Sequence, residues 1–168
     1  MTEVIEAELP SQLDAVRSLL TSFVAWHRER HVEDIALIDR YFDAVAFERE
    51  LATLPGYYSR PTGSLLIAYL DGKPAGCVAL RDLGDGICEM KRMFVPPEFR
   101  GRGVGYALAN RIVDEARARR YDRMRLDTSH RQNEAMRLYR RIGFKQIEPY
   151  YELTDDLRTW LVFFEMRL

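Results

Sequence analysis

The sequence predicts a mixed α/β fold: one central sheet, antiparallel in its first part and parallel where a helix crosses over, with helices packed on it. Three observations carry this. Asp71-Gly72 and Asp85-Gly86 separate three apolar runs, which is the pattern of a β-meander. A helix-period stretch follows the third run and leads into another strand pattern, so the chain crosses over and returns parallel. The length of 168 residues, with 47% hydrophobic and 30% charged, suits one core and is too short for two ordinary domains, so residues 1–168 are expected to be a single domain.

Residues 3–8, EVIEAE, are expected to form a short first strand. Pro10-Ser11 opens a helix with Leu13, Val16, Leu19, Leu20, Phe23 and Val24 on one face, broken by the polar HRERHVED near residues 27–34. A second helix is expected to run to about Leu54, ended by Pro55-Gly56. The meander strands are read at residues 64–70, 75–83 and 87–95. A strand at 123–128, a helix at 133–142 ended by Gly143, and strands at 145–148 and 160–167 complete the chain.

The stretch Glu89 to Gly105, EMKRMFVPPEFRGRGVG, organises the rest. Its strand loses alternation at Lys91-Arg92 and Met93-Phe94-Val95, which suggests a bulge or an unpaired end. Pro96 and Pro97 cannot donate to a ladder, so the strand stops there. Next come Arg100, Gly101, Arg102, Gly103, Val104 and Gly105, opening a helix with Val104, Ala107, Leu108, Ile112 and Ala116 on its apolar face. That helix start has no Ser, Thr, Asp or Asn to cap it and no acid between Phe99 and Val113. Uncapped amides with cationic neighbours suit an anion, most often phosphate. The bland alternative is a plain strand-to-helix turn with two solvated arginines. The dinucleotide-binding glycine pattern and the P-loop pattern both fail here, because Tyr106 stands where the last glycine is required and no Gly-Lys-Ser/Thr follows.

What matches is Arg-x-x-Gly-x-Gly, as Arg100, Gly103 and Gly105. Downstream, LDTSHRQNEAMRLYRRIGF (residues 126–144) supplies a strand, an Asn, a Tyr on a helix and a Gly-Phe. Together these resemble the two signatures of the GNAT acetyltransferase superfamily. The resemblance implies its fold, with two splayed strands between which the cofactor enters. It implies acetyl-CoA as cosubstrate, its pyrophosphate on the amides of Gly101 to Gly105 with Arg100 and Arg102 nearby. Backbone groups of Met93, Phe94 and Val95 would meet the pantetheine arm and thioester carbonyl. Asn133 would contact the cofactor, although it also fits a helix N-cap. Tyr139 matches the family's general acid, although a tyrosine at helical spacing is more often core. Glu89 is the candidate base, weighed evenly against an ion pair with Lys91 or an arginine.

The implied function is an acetyl-CoA-dependent N-acetyltransferase acting on an amine of a small molecule or peptide by direct attack. The alternative is a non-catalytic acyl-CoA binding module on the same fold. The acceptor is not named by the sequence: the regions that would contact it hold Trp26, Tyr41, Tyr57, Tyr58, Tyr150 and Tyr151 with Glu29, Glu33 and Asp34. A homodimer remains open. A net charge of −1 gives no support for a nucleic-acid or anionic-membrane partner. MTEVIEAELP lacks a signal pattern and no run approaches the roughly 18 apolar residues of a span, so a cytoplasmic location is expected. Cys77 and Cys88 lie in apolar strands and read as buried thiols. His27, His31 and His130 lack metal spacing and are expected at the surface, and no metal is expected.

Overall fold

The computed structural model describes residues 1–168. In chain order the elements are β1 (Thr2–Glu6), α1 (Pro10–Arg30), α2 (Ile35–Tyr41), α3 (Ala44–Ala52), β2 (Ser64–Leu70), β3 (Lys73–Gly84), β4 (Ile87–Phe94), α4 (Val104–Ala118), β5 (Arg123–Ser129), α5 (Asn133–Ile142), β6 (Lys145–Ile147), α6 (Asp155–Trp160) and β7 (Leu161–Arg167). The strands form one seven-stranded sheet in the order β1-β2-β3-β4-β5-β7-β6. Only β4 and β5 run parallel, joined by the α4 crossover. Both Asp-Gly pairs make the expected hairpin turns, with all four residues at positive φ.

The sheet buries both faces. One packs Leu66, Val78, Leu80 and Met90 against Leu108 and Ile112 of α4. The other packs Leu65, Ile67 and Ala79 against Val16 and Leu20 of α1. Full burial of such aliphatic side chains contributes about 1.5–3 kcal/mol each. A third, smaller cluster joins Ile38 and Phe42 of the α2 end to Trp160, Leu161 and Phe163.

Two features of β4 set up the site. First, its pairing with β5 stops after Ile87↔Arg123, Cys88↔Met124 and Glu89↔Arg125. Beyond that β5 stays with β7 through Ser129↔Leu161, so β4 and β5 part in a wedge. This is the splay that the family resemblance implies. Second, Cys77 pairs with Phe94 and Ala79 with Lys91, leaving Arg92 and Met93 opposite Val78 alone. Two residues against one is a bulge, and Arg92 sits in it at φ 58. The broken alternation in the sequence marks it correctly.

Three expectations need correction. The second helix is two: α2 ends at Tyr41, and Asp43 caps α3 by accepting the Ala46 N–H at 2.9 Å. The segment before β7 is a short helix, α6, with Trp160 as its last residue rather than the first of a strand. Six residues are too few to show a helical period. His27 is not at the surface but 4% exposed, under Phe23 and Phe42.

Candidate active site

Three cavities meet at the wedge. A cleft of about 820 Å³ lies between the end of β4, the start of α4 and the start of α5. A pocket of about 70 Å³ sits between the diverging strands. The two share Phe23, Met93, Gln132 and Ala135 as walls. On the far side an open hollow of about 350 Å³ shares Tyr41, Lys91, Arg92 and Leu161 with the central pocket. The molecule thus has a large cleft on one side of the splay, a small hollow on the other, and a narrow pocket between them that shares walls with both.

The cleft is lined by Met93, Phe94, Val95, Arg100, Gly101, Gly103, Val104, Gly105 and Asn133, nine of the residues singled out from the sequence. Gly103 stands at the N-cap of α4 with φ 83, no side chain caps the helix, and its first turn holds no acid. The Ala107 N–H, bonded to the Gly103 carbonyl at 3.0 Å, is the first to find a helical acceptor, so the amides before it face the cleft without intrahelical partners. Arg100 is tethered, its Nε donating to the Val95 carbonyl at 2.9 Å and its guanidinium lying 4.2 Å from the Trp26 ring centroid. Arg102 is not in the cleft. It points to the rim and pairs with Asp71 at 3.0 Å. Asn133 is the first residue of α5 and not its cap. Gln132 holds the cap position, and its amide reaches the His27 ring at 3.2 Å.

The central pocket holds Tyr139, 5% exposed, with its ring edge-on to Phe144. Burial, and then the nearby Asp127 carboxylate, push its pKa well above that of an ordinary phenol. The hydroxyl therefore holds its proton throughout the physiological range. Glu89 lines none of the three cavities. It is 1% exposed, with Oε1 accepting from Arg81 at 2.7 Å and Oε2 from the Tyr150 hydroxyl at 2.5 Å, while Lys91 lies 3.9 Å away. The one carboxylate lining the central pocket is Asp127, which accepts hydrogen bonds from the Tyr41 and Tyr151 hydroxyls. Asp127 is not among the candidate residues that the sequence singled out. The alternating polar positions Arg123, Arg125 and Asp127 were the available signal, because a strand in mid-sheet has no solvent face to justify them.

His27 also lines the central pocket, and burial, then His31 and Arg100, lower its pKa from 6.5 to about 4. It is neutral in the fold, whereas the unfolded chain takes up a proton below pH 6.5. Stability therefore falls as pH drops from about 6.5 to about 4, by about 3 kcal/mol for this group alone. Melting temperature measured against pH for the wild type and His27→Gln should diverge within that window, with the variant flatter. Parallel curves would show that His27 protonates freely in the folded protein.

The model of the Acetyltransferase (GNAT) family matches residues 17–144, more than half of the chain. The chain belongs to the GNAT acetyltransferase family. It is an acyltransferase. It is 36% identical over 146 residues to an uncharacterized N-acetyltransferase of Schizosaccharomyces pombe, covering 86% of this chain and 83% of that one. It is 34% identical over 133 residues to the N-acetylaspartate synthetase of Danio rerio, covering 76% of this chain but only 47% of that protein. Among solved structures, an acetyltransferase from Streptococcus agalactiae superposes with a TM-score of 0.74 at 25% identity, over 99% of this chain and 98% of that one. The PaiA N-acetyltransferase of Thermoplasma acidophilum, solved in complex with coenzyme A, superposes with a TM-score of 0.72 at 16% identity, over 100% and 99%; it speaks for the fold alone. No helix is long and apolar enough to cross a membrane, and no three His, Cys, Asp or Glu side chains gather as a metal site. Cys77 and Cys88 are free and buried.

Proposed function

We propose that this protein transfers acetyl from acetyl-CoA directly to a primary amine held on the opposite side of the β4–β5 wedge. The observation that carries this reading is the row of three cavities with shared walls at the bulge of β4: the anion-ready cleft shares Met93 with the central pocket, and the separate hollow shares Lys91 and Arg92 with it. Acetyl-CoA supplies an activated acyl carbon and a thiol leaving group. The amides before Ala107 hold its pyrophosphate, the unpaired edge of β4 at Met93 to Val95 aligns its pantetheine arm as an added strand, and Asn133 borders it. Arg100 shapes the cleft wall through Trp26, and Arg102 contributes only long-range charge from the rim.

The amine must be neutral to attack, and a free primary amine is mostly protonated at neutral pH. Asp127, directly or through water, takes that proton. As the new N–C bond forms and the C–S bond breaks, the second amine proton ends on sulfur, with Tyr139 as the donor poised to deliver it. The products are an N-acetyl amide and a free thiol. Glu89 acts here through its partners, holding Arg81 and Tyr150 in place. Glu89→Gln is expected to lower the melting temperature, because Arg81 loses its buried counter-charge, while the shape of the pH–rate curve stays the same. Loss of turnover concentrated at low pH would return Glu89 to the role of base.

The test of the activity is an acetyl-CoA turnover screen with free-thiol readout across amines, amino acids and peptides. The name of the Danio rerio relative, N-acetylaspartate synthetase, is the reason to include aspartate in that panel. Tight coenzyme A binding with no thiol release from any acceptor would favour a non-catalytic acyl-CoA module.

A further inference from the structure

The outer hollow and central pocket contain three cations, Arg40, Lys91 and Arg92, and two of them are committed. Arg40 pairs with Asp156 at the rim. Arg92 donates to both oxygens of Glu50, at 2.9 and 3.2 Å, with its guanidinium over the Phe42 and Phe47 rings. Lys91 differs. Its side chain is 14% exposed, and its ammonium makes one hydrogen bond, to the Tyr41 hydroxyl at 3.2 Å. Its nearest carboxylate is Glu89 at 3.9 Å, on the oxygen already taken by Arg81 at 2.7 Å. An ammonium has three donors, so two remain for a ligand in the space that Lys91 lines.

The bulge puts Lys91 there. In a regular strand, neighbours point to opposite faces. Here Lys91 and Arg92 both meet residues of the α2–α3 side, at Tyr41 and Glu50. Tyr41 in turn donates to Asp127. Lys91, Tyr41 and Asp127 therefore form a chain with a cation at one end, a carboxylate at the other and a hydroxyl fixing the spacing. The central pocket, about 70 Å³, admits the reacting end of an acceptor but not its body, and the 350 Å³ hollow is left for the remainder.

We infer that this chain of residues recognises the zwitterionic head of an α-amino acid: Lys91 binds the acceptor's carboxylate while Asp127 receives its ammonium beside the wedge. The inference rests on the proposed N-acetyl transfer and names its acceptor class. Lys91 is then a specificity-determining residue. A simple monoamine would leave the Lys91 donors unmatched, and an amino acid amide would present a neutral group in place of the charge partner. Lys91 and Met93, where the acyl group is aligned, lie on either side of the Arg92 bulge. That separation lets the carboxylate and the acyl carbon be held at once without overlap.

The test uses matched acceptors: L-amino acids, their α-carboxamides, and the corresponding decarboxylated amines. In the wild type, kcat/KM for the acids should exceed that for the amides by about 100-fold, the scale of a buried charged hydrogen bond. Lys91→Met should bring the ratio near one, and Lys91→Arg should keep part of it. A second readout needs no turnover: calorimetric titration of amino acid into the protein saturated with coenzyme A should weaken at least 10-fold in Lys91→Met. Coenzyme A binding in that variant reports that the fold is intact. Equal turnover of acids, amides and amines by the wild type would overturn the inference and leave the transferase reading standing. Absence of thiol release from every class would sink the transferase reading, and the inference with it.

Discussion

Gly105→Val should abolish coenzyme A binding while leaving the free protein as stable as the wild type. Gly105 lies in the first turn of α4, and a Cβ there would meet Leu138 Cδ2 at 3.5 Å and Val95 Cγ2 at 3.7 Å, which are ordinary contacts. Nothing in the fold forbids a Cβ at this position. Replacing glycine in a helix even removes a cost of several tenths of a kcal/mol. The added methyls, however, project between β4 and α5, across the cleft where the backbone amides need a ligand to come close. The neighbouring glycines make poorer tests. Gly101 and Gly103 have φ 72 and 83, so a β-branched residue at either position strains the backbone and confuses lost binding with lost structure. At about 100 Kd of coenzyme A, linkage should raise wild-type stability by about 2.7 kcal/mol. In Gly105→Val that ligand-induced shift should vanish, with affinity down by about 100-fold or more. An unchanged thermal shift would mean that coenzyme A does not lie on this loop.

Much of this architecture could be read from the chain because its signals are local. The Asp-Gly turns, the proline stop after β4, the uncapped glycine start of α4 and the broken alternation at Lys91-Arg92 each state a backbone requirement within a few residues. The proposed cofactor side of the site is built from those same residues, which is why nine of its expected members line one cleft. The proposed acceptor side was less legible because it is assembled across the sheet. Asp127 faces Tyr41 from a helix 86 residues earlier and Tyr151 from a loop 24 residues later, and no spacing rule connects them. Glu89 shows the same limit in reverse. Its position on β4 suggested chemistry, but the partners that enclose it, Arg81 and Tyr150, come from elsewhere in the chain. Arg102 differs for a simpler reason: its side chain pairs with Asp71 at the rim, which no local spacing announces.

Tyr139→Phe should lower turnover about 100-fold, close to 2.7 kcal/mol in the barrier, with coenzyme A affinity and melting temperature nearly unchanged. The ring stays because its packing against Phe144 and Phe164 needs no hydroxyl. The loss appears only as the reaction proceeds. With its pKa raised by burial and by Asp127, the phenol is a poor acid toward a neutral thioester in the resting complex. As the C–S bond breaks, negative charge accumulates on sulfur beside the buried phenol, and a hydrogen bond to that charge strengthens as the same step advances. Such a group stabilises the transition state more than the bound substrates and so acts on kcat rather than on affinity. Two controls separate this from a structural role. Single-turnover measurements remove any masking by slow product release. An acyl donor whose thiol is more acidic needs less help in leaving, so the variant should lose less with it than with acetyl-CoA. Equal losses with both donors, or no loss with either, would make Tyr139 a core residue that lines the pocket without serving it.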